Sequence, residues 1–115
     1  MKRLATSIAV LAACTTLAQA DISGGAVKIG VLTDQSGVFS SLAGQGSVVA
    51  AQMAIEDFGD KLGVPVELLS ADHQNKADVG TQIARQWYDV EGVDLIVDGP
   101  NSSVVLGVQE LAREK

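Results

Sequence analysis

Three short β-rich runs, each followed by an amphipathic helical pattern, constrain what this chain of 115 residues can fold into. The first, Val27-Lys28-Ile29-Gly30-Val31-Leu32, is introduced by Ser23-Gly24-Gly25, a flexible lead-in. After a Gly- and Ser-rich stretch from Thr33 to Gly46, Val48, Ala51, Ile55 and Phe58 recur at helical spacing, and Gly59 and Gly63 end that helix. Pro65 opens a second strand, Val66 to Ala71; the proline and the charge of Glu67 suit a position near a sheet edge. Val79, Ile83, Trp87 and Val90 form the inward stripe of a second helix, about Asp78 to Asp89, with Trp87 in the core and Tyr88 partly exposed. Leu95-Ile96-Val97 between two aspartates is the pattern of a parallel strand covered on both faces. The last helix turns Val104, Val108, Leu111 and Ala112 inward. A β-α-β-α-β-α order implies an α/β fold with a parallel, doubly wound sheet.

The first twenty residues belong to a different kind of segment. Lys2 and Arg3 precede an apolar and small-residue run ending in Ala18-Gln19-Ala20, the layout of an export signal with cleavage before Asp21. Leu11-Ala12-Ala13-Cys14 is a rival signal, a lipobox that would lipidate Cys14. In either case the folded part, residues 27–115 after a lead-in at 21–26, has no cysteine and therefore no disulfide. The chain carries 14 acidic against 8 basic residues, a formal net charge of −6, and loss of the leader removes two of those cations. With no basic stripe left to displace counterions from phosphates, nucleic acid is excluded as a partner. Arg113-Glu114-Lys115 stop within a helical pattern that has no Gly, Asn or Pro terminator, so the chain is expected to be the N-terminal part of a larger protein.

In an open α/β sheet the ligand crevice lies beyond the carboxyl ends of the strands. The segments leaving those ends are Thr33-Asp34-Gln35-Ser36-Gly37, Asp72-His73-Gln74-Asn75 and Asp98-Gly99-Pro100-Asn101-Ser102-Ser103, all polar and short-chained. At the amino ends there are only turn residues, Gly24-Gly25, Gly63 and Gly92. Gly99-Pro100-Asn101-Ser102-Ser103 hands a strand directly to a helix, so free backbone N–H groups, the positive end of a helix dipole and two hydroxyls meet at one point. That suits a carboxylate or a phosphate, although Asn and Ser are also the ordinary residues of a helix N-cap. Phe39 and Leu42 in the long first loop either lie on a ligand or tuck onto the first helix. His73 has no second His or Cys near it, so a metal site is not expected and a surface or supporting role is. Asp34, Asp72 and Asp98 could together hold Mg²⁺, as in a receiver or phosphotransfer domain, or simply end their strands. Gly44-Gln45-Gly46 is not a dinucleotide fingerprint: it lies far downstream of Leu32 and has Val49 where the third glycine belongs. No nucleophile stands beside a base, so an enzyme is not expected, and no cofactor is implied.

Taken together, Lys28-Ile29-Gly30-Val31-Leu32-Thr33, Ser36-Gly37, Asp72-His73-Gln74-Asn75, Gly92-Val93-Asp94 and Asn101-Ser102-Ser103 resemble the leucine and branched-chain amino-acid binding proteins of ABC importers. The resemblance implies about half of the first lobe of a type I periplasmic-binding-protein fold. It also implies a small-molecule ligand, such as a branched-chain amino acid, an amide or an aromatic carboxylate, and an ABC permease of the inner membrane as partner. It places the ligand carboxylate on Asn101, Ser102 and Ser103 and its apolar part near Phe39 and Leu42. Ser36, His73 and Gln74 complete the expected binding set. Val38 stands where many relatives have proline. A sensor ectodomain built on the same lobe is a further reading.

Overall fold

The computed structural model describes residues 23–115. The expected leader, its cleavage site and Cys14 lie outside the described residues. Ser23–Gly25, expected as a flexible lead-in, forms a single 3-10 turn. The strands are β1 (Val27–Thr33), β2 (Val66–Asp72) and β3 (Leu95–Val97), and the helices are α1 (Gly44–Phe58), α2 (Ala77–Gln86) and α3 (Ser102–Arg113). They alternate along the chain as their hydrophobic periods imply.

The sheet has the order β2-β1-β3. All pairs are parallel, with Val27 opposite Val66, Thr33 opposite Asp72 and Ile29 opposite Leu95. The connection through α1 steps to one side of β1 and the connection through α2 returns past it, so the winding reverses at β1. Crossovers of one hand then put α1 on one face and α2 and α3 on the other. Such a reversal opens a crevice at the carboxyl ends of the strands on either side of it, here β1 and β3.

Strand alternation decides what each face buries. Leu32 joins Ala84, Trp87, Val93, Val104 and Leu111 in the buried cluster, with Leu69, Ala71, Ile83, Ile96 and Val108 packed around it. Glycines let the layers meet closely. A Cβ at Gly80 would stand 2.5 Å from Val104 Cγ1, and one at Gly107 2.5 Å from Thr81 Oγ1, so α2 and α3 pack almost backbone to backbone.

Four expectations are corrected. Val90 is not inward but 75% exposed. The last turn of the second helix widens to a π-helical turn at Trp87–Glu91, which rotates Val90 outward. Val93 takes the buried place, its N–H donating to the Trp87 carbonyl at 3.0 Å. Helix α1 starts at Gly44 rather than near Val48, because the Gly44 N–H is held by Thr33 Oγ1 at 3.0 Å and its φ of 56° suits glycine. Ala112, expected inward, is exposed, as is Phe58 at the end of the α1 stripe. On the α1 side an apolar groove of about 340 Å³, lined by Ile29, Ile55, Phe58, Leu62, Val66 and Val97, stays open. Ala112 in turn lines an open cleft between β3 and α3. Finally, β3 is not covered on both faces. It forms an edge of this sheet, with Leu95 51% exposed, because no further strand pairs with it among the described residues. The other edge is β2, as Pro65 and Glu67 imply. None of the described helices is long and apolar enough to cross a membrane.

Candidate functional site

At the carboxyl edge of the sheet, side chains at the strand ends are spent on tying loops together. Asp34, fully buried just beyond β1, accepts the N–H of Gly37 on Oδ1 at 2.7 Å and the N–H of Phe39 on Oδ2 at 2.9 Å. A carboxylate that receives two backbone donors is satisfied without a counter-ion and fixes the entry of the long loop. Gly37 is required there, since a Cβ would lie 2.5 Å from Asp34 Oδ1.

Asp72, the last residue of β2, binds across to the first loop. Its Oδ1 accepts the N–H of Gln35 at 2.9 Å and of Gln74 at 2.8 Å, and its Oδ2 accepts Ser36 Oγ at 2.6 Å. Desolvation alone would raise the Asp72 pKa. The Ser36 hydroxyl and the two N–H groups outweigh it, so the carboxyl titrates below the usual aspartate range.

His73 is fully buried, which corrects the surface reading. Its N–H donates to the Thr33 carbonyl at 2.9 Å, continuing the β1–β2 ladder past Asp72. Its ring Nδ1 accepts the N–H of Asn75 at 3.0 Å, and Nε2 has no partner among the described residues. Gln74 and Asn75 both have left-handed φ, 54° and 56°. With Lys76 N–H bonded to the His73 carbonyl at 2.9 Å they make a tight type I′ turn. The remaining non-glycine residue with positive φ among those described is Asp98, at 71°. All three stand at this one edge.

The turn carries Asn75 to the start of α3. Asn101 Nδ2 donates to Asn75 Oδ1 at 2.5 Å, while Asn101 Oδ1 accepts Ser103 N–H at 2.8 Å, Ser103 Oγ at 2.5 Å and Val104 N–H at 3.4 Å. Asn101 is thus the N-cap of α3, and its amide is fully engaged. The Ser103 hydroxyl donates its hydrogen bond to Asn101. Ser102, exposed, keeps both its N–H and its hydroxyl uncommitted among the described residues. Of the three residues expected to hold the carboxylate, Ser102 is the free donor, whereas Asn101 and Ser103 build its setting.

The other expected residues occupy the rim. Leu42 is 81% exposed and Phe39 half-buried, in a helical turn where the Phe39 carbonyl accepts both Leu42 and Ala43 N–H at 2.9 Å. Ser36 and Gln74 are exposed, Ser36 tied to Asp72 and Gln74 Oε1 accepting Lys76 Nζ at 3.3 Å. Asn75 is the participant that the sequence does not announce, because its partner lies 26 residues away. The Mg²⁺ arrangement does not form: Asp34 and Asp72 are taken up by loop donors, and no group of three metal-ligating side chains gathers among the described residues.

An open parallel sheet whose polar loops are braced at one edge, around a helix N-terminus with unspent donors, is a doubly wound α/β lobe with a candidate site at its carboxyl edge. The chain belongs to the periplasmic binding protein family, which matches residues 26–115. A branched-chain amino acid ABC transporter periplasmic ligand-binding protein from Burkholderia xenovorans is 53% identical, with a TM-score of 0.72 over 76% of this chain and 24% of that one. A periplasmic binding protein from Burkholderia mallei is 47% identical, with a TM-score of 0.74 over 78% and 24%. A leucine-binding protein from Thermotoga maritima is 28% identical, with a TM-score of 0.69 over 76% and 25%. The chain therefore spans about a quarter of the length of these relatives. No curated protein matches it.

Proposed function

We propose that this chain supplies ligand-facing elements of the substrate-binding component of an ABC importer that captures a small carboxylate in the periplasm and delivers it to an inner-membrane permease. The observation that carries the reading is the state of the α3 N-terminus: Asn101 and Ser103 are internally bonded while the Ser102 N–H and hydroxyl remain free among the described residues. Two uncommitted donors at the positive end of a helix dipole favour an anionic oxygen. In this reading Phe39 and Leu42 of the first loop supply the apolar wall, and exposed Ser36 and Gln74 supply the polar rim. The relatives from Burkholderia xenovorans and Thermotoga maritima, described for branched-chain amino acids and leucine, support a branched-chain amino acid as the first candidate. An aromatic carboxylate is the second.

No bond is made or broken in this function. Affinity comes from charge-assisted hydrogen bonds to a dehydrated carboxylate and from burial of the ligand's apolar part. The test is thermal denaturation of the full-length protein with L-leucine, L-isoleucine, L-valine, benzoate or Mg²⁺. Stabilisation by one of the acids is expected; stabilisation by Mg²⁺ alone would replace this reading with a receiver-type one.

A further inference from the structure

We infer that His73 is a positioning residue for the ligand seat: through Asn75 and Asn101 it sets which donors at the start of α3 are left for a ligand. This rests on the proposed carboxylate seat at Ser102.

His73 is an unlikely choice for filling space. It is fully buried against Gly80, and its Nε2 has no partner among the described residues. Because Nδ1 accepts the Asn75 N–H, the proton of the neutral ring sits on Nε2, so a buried donor goes unmet. An apolar side chain of similar size would avoid that cost. What the imidazole provides is the Nδ1 acceptor, placed as the oxygen of an Asx-turn would be, receiving an N–H two residues on.

That acceptor closes the type I′ turn at Gln74 and Asn75 and aims Asn75 Oδ1 at Asn101 Nδ2. A carboxamide has one donor end and one acceptor end. With Nδ2 held by Asn75, Oδ1 must face α3, where it takes Ser103 N–H and the Ser103 hydroxyl. Ser102 is then the residue whose donors are unspent. Two loops are coupled in series, so the seat depends on a ring that no ligand in the crevice touches.

The test compares His73→Phe, His73→Asn and Asn75→Gly in the full-length protein, reading amide hydrogen exchange at Ser103 and affinity for L-leucine. Phenylalanine keeps the bulk and loses the acceptor. Asparagine loses bulk but offers Oδ1 near the position of Nδ1. Glycine keeps the left-handed turn and removes the Asn75 side chain, and it covers the case in which His73→Phe does not fold. The expected result is that His73→Phe and Asn75→Gly speed Ser103 exchange and weaken L-leucine binding by about tenfold, without change at Val31 in β1. His73→Asn stays within about threefold of wild type in both readouts, although it melts at a lower temperature. Wild-type Ser103 exchange in Asn75→Gly, or an asparagine variant as impaired as the phenylalanine one, overturns the inference. Ser102→Ala separates the two claims: unchanged L-leucine affinity there removes the seat, while Ser103 exchange still decides whether His73 orients Asn101.

Discussion

Gly30 lies directly beneath the indole of Trp87: a Cβ at Gly30 would stand 2.5 Å from Trp87 Cε3. The central strand gives up a side chain so that the largest ring of the buried cluster can lie on its backbone. Gly30→Ala must therefore displace the ring or the strand. It is expected to destabilise the protein by about 1–3 kcal/mol, the usual range for overpacking. A melting temperature equal to wild type would contradict this packing.

Asp72 makes acid sensitivity a property of the carboxyl edge of the sheet. Its pKa is lowered in the folded state, so its contribution is fully present above the ordinary aspartate range and lost as pH falls through the depressed folded value. Removing the charge should therefore matter most near neutrality. The difference in melting temperature between wild type and Asp72→Asn is expected to be largest there and to shrink on acidification. A difference that does not vary with pH would mean that the Ser36, Gln35 and Gln74 bonds do not favour the ionised form.

The π-helical turn at Trp87–Glu91 makes a paired prediction. Val90→Ser, at a position 75% exposed, should change stability by no more than about 0.5 kcal/mol. Val93→Ala, at a position 4% exposed, should cost about 1–3 kcal/mol by loss of burial and creation of a cavity. Equal effects in chemical denaturation would put the two valines on one face, as an uninterrupted α-helix does.

Where the chain alternates between periods of two and 3.6 residues, the fold is legible from sequence. β3 is found at Leu95–Val97 as expected, and β1 and β2 each extend by a single residue, to Thr33 and Asp72. What the pattern hides is geometry that depends on a distant partner. The start of α1 is set by Thr33 Oγ1, and the phase slip at Val90 comes from one widened turn. At the carboxyl edge the loops that carry the proposed site are visible because polar residues follow each strand. The division of labour within them is not: Asn101 looks like a ligand donor until Asn75 occupies its amide, and His73 looks like a surface residue until Thr33 and Gly80 enclose it. Leu95, patterned as a buried strand residue, is exposed at an edge that periodicity cannot reveal.

Whether a carboxylate is held at Ser102 is tested most directly by titration calorimetry of the full-length protein. The titrants are L-leucine, L-isoleucine, L-valine and benzoate, followed by the amide of whichever acid binds tightest and then by that acid against Ser102→Ala. Saturable binding of at least one acid is expected. Both the amide and the Ser102→Ala variant should then lose about 1.5–3 kcal/mol of binding free energy, the worth of a hydrogen bond to a charged group. Equal affinity of the acid and its amide, with Ser102→Ala indistinguishable from wild type, would show that no carboxylate is bound at this helix terminus.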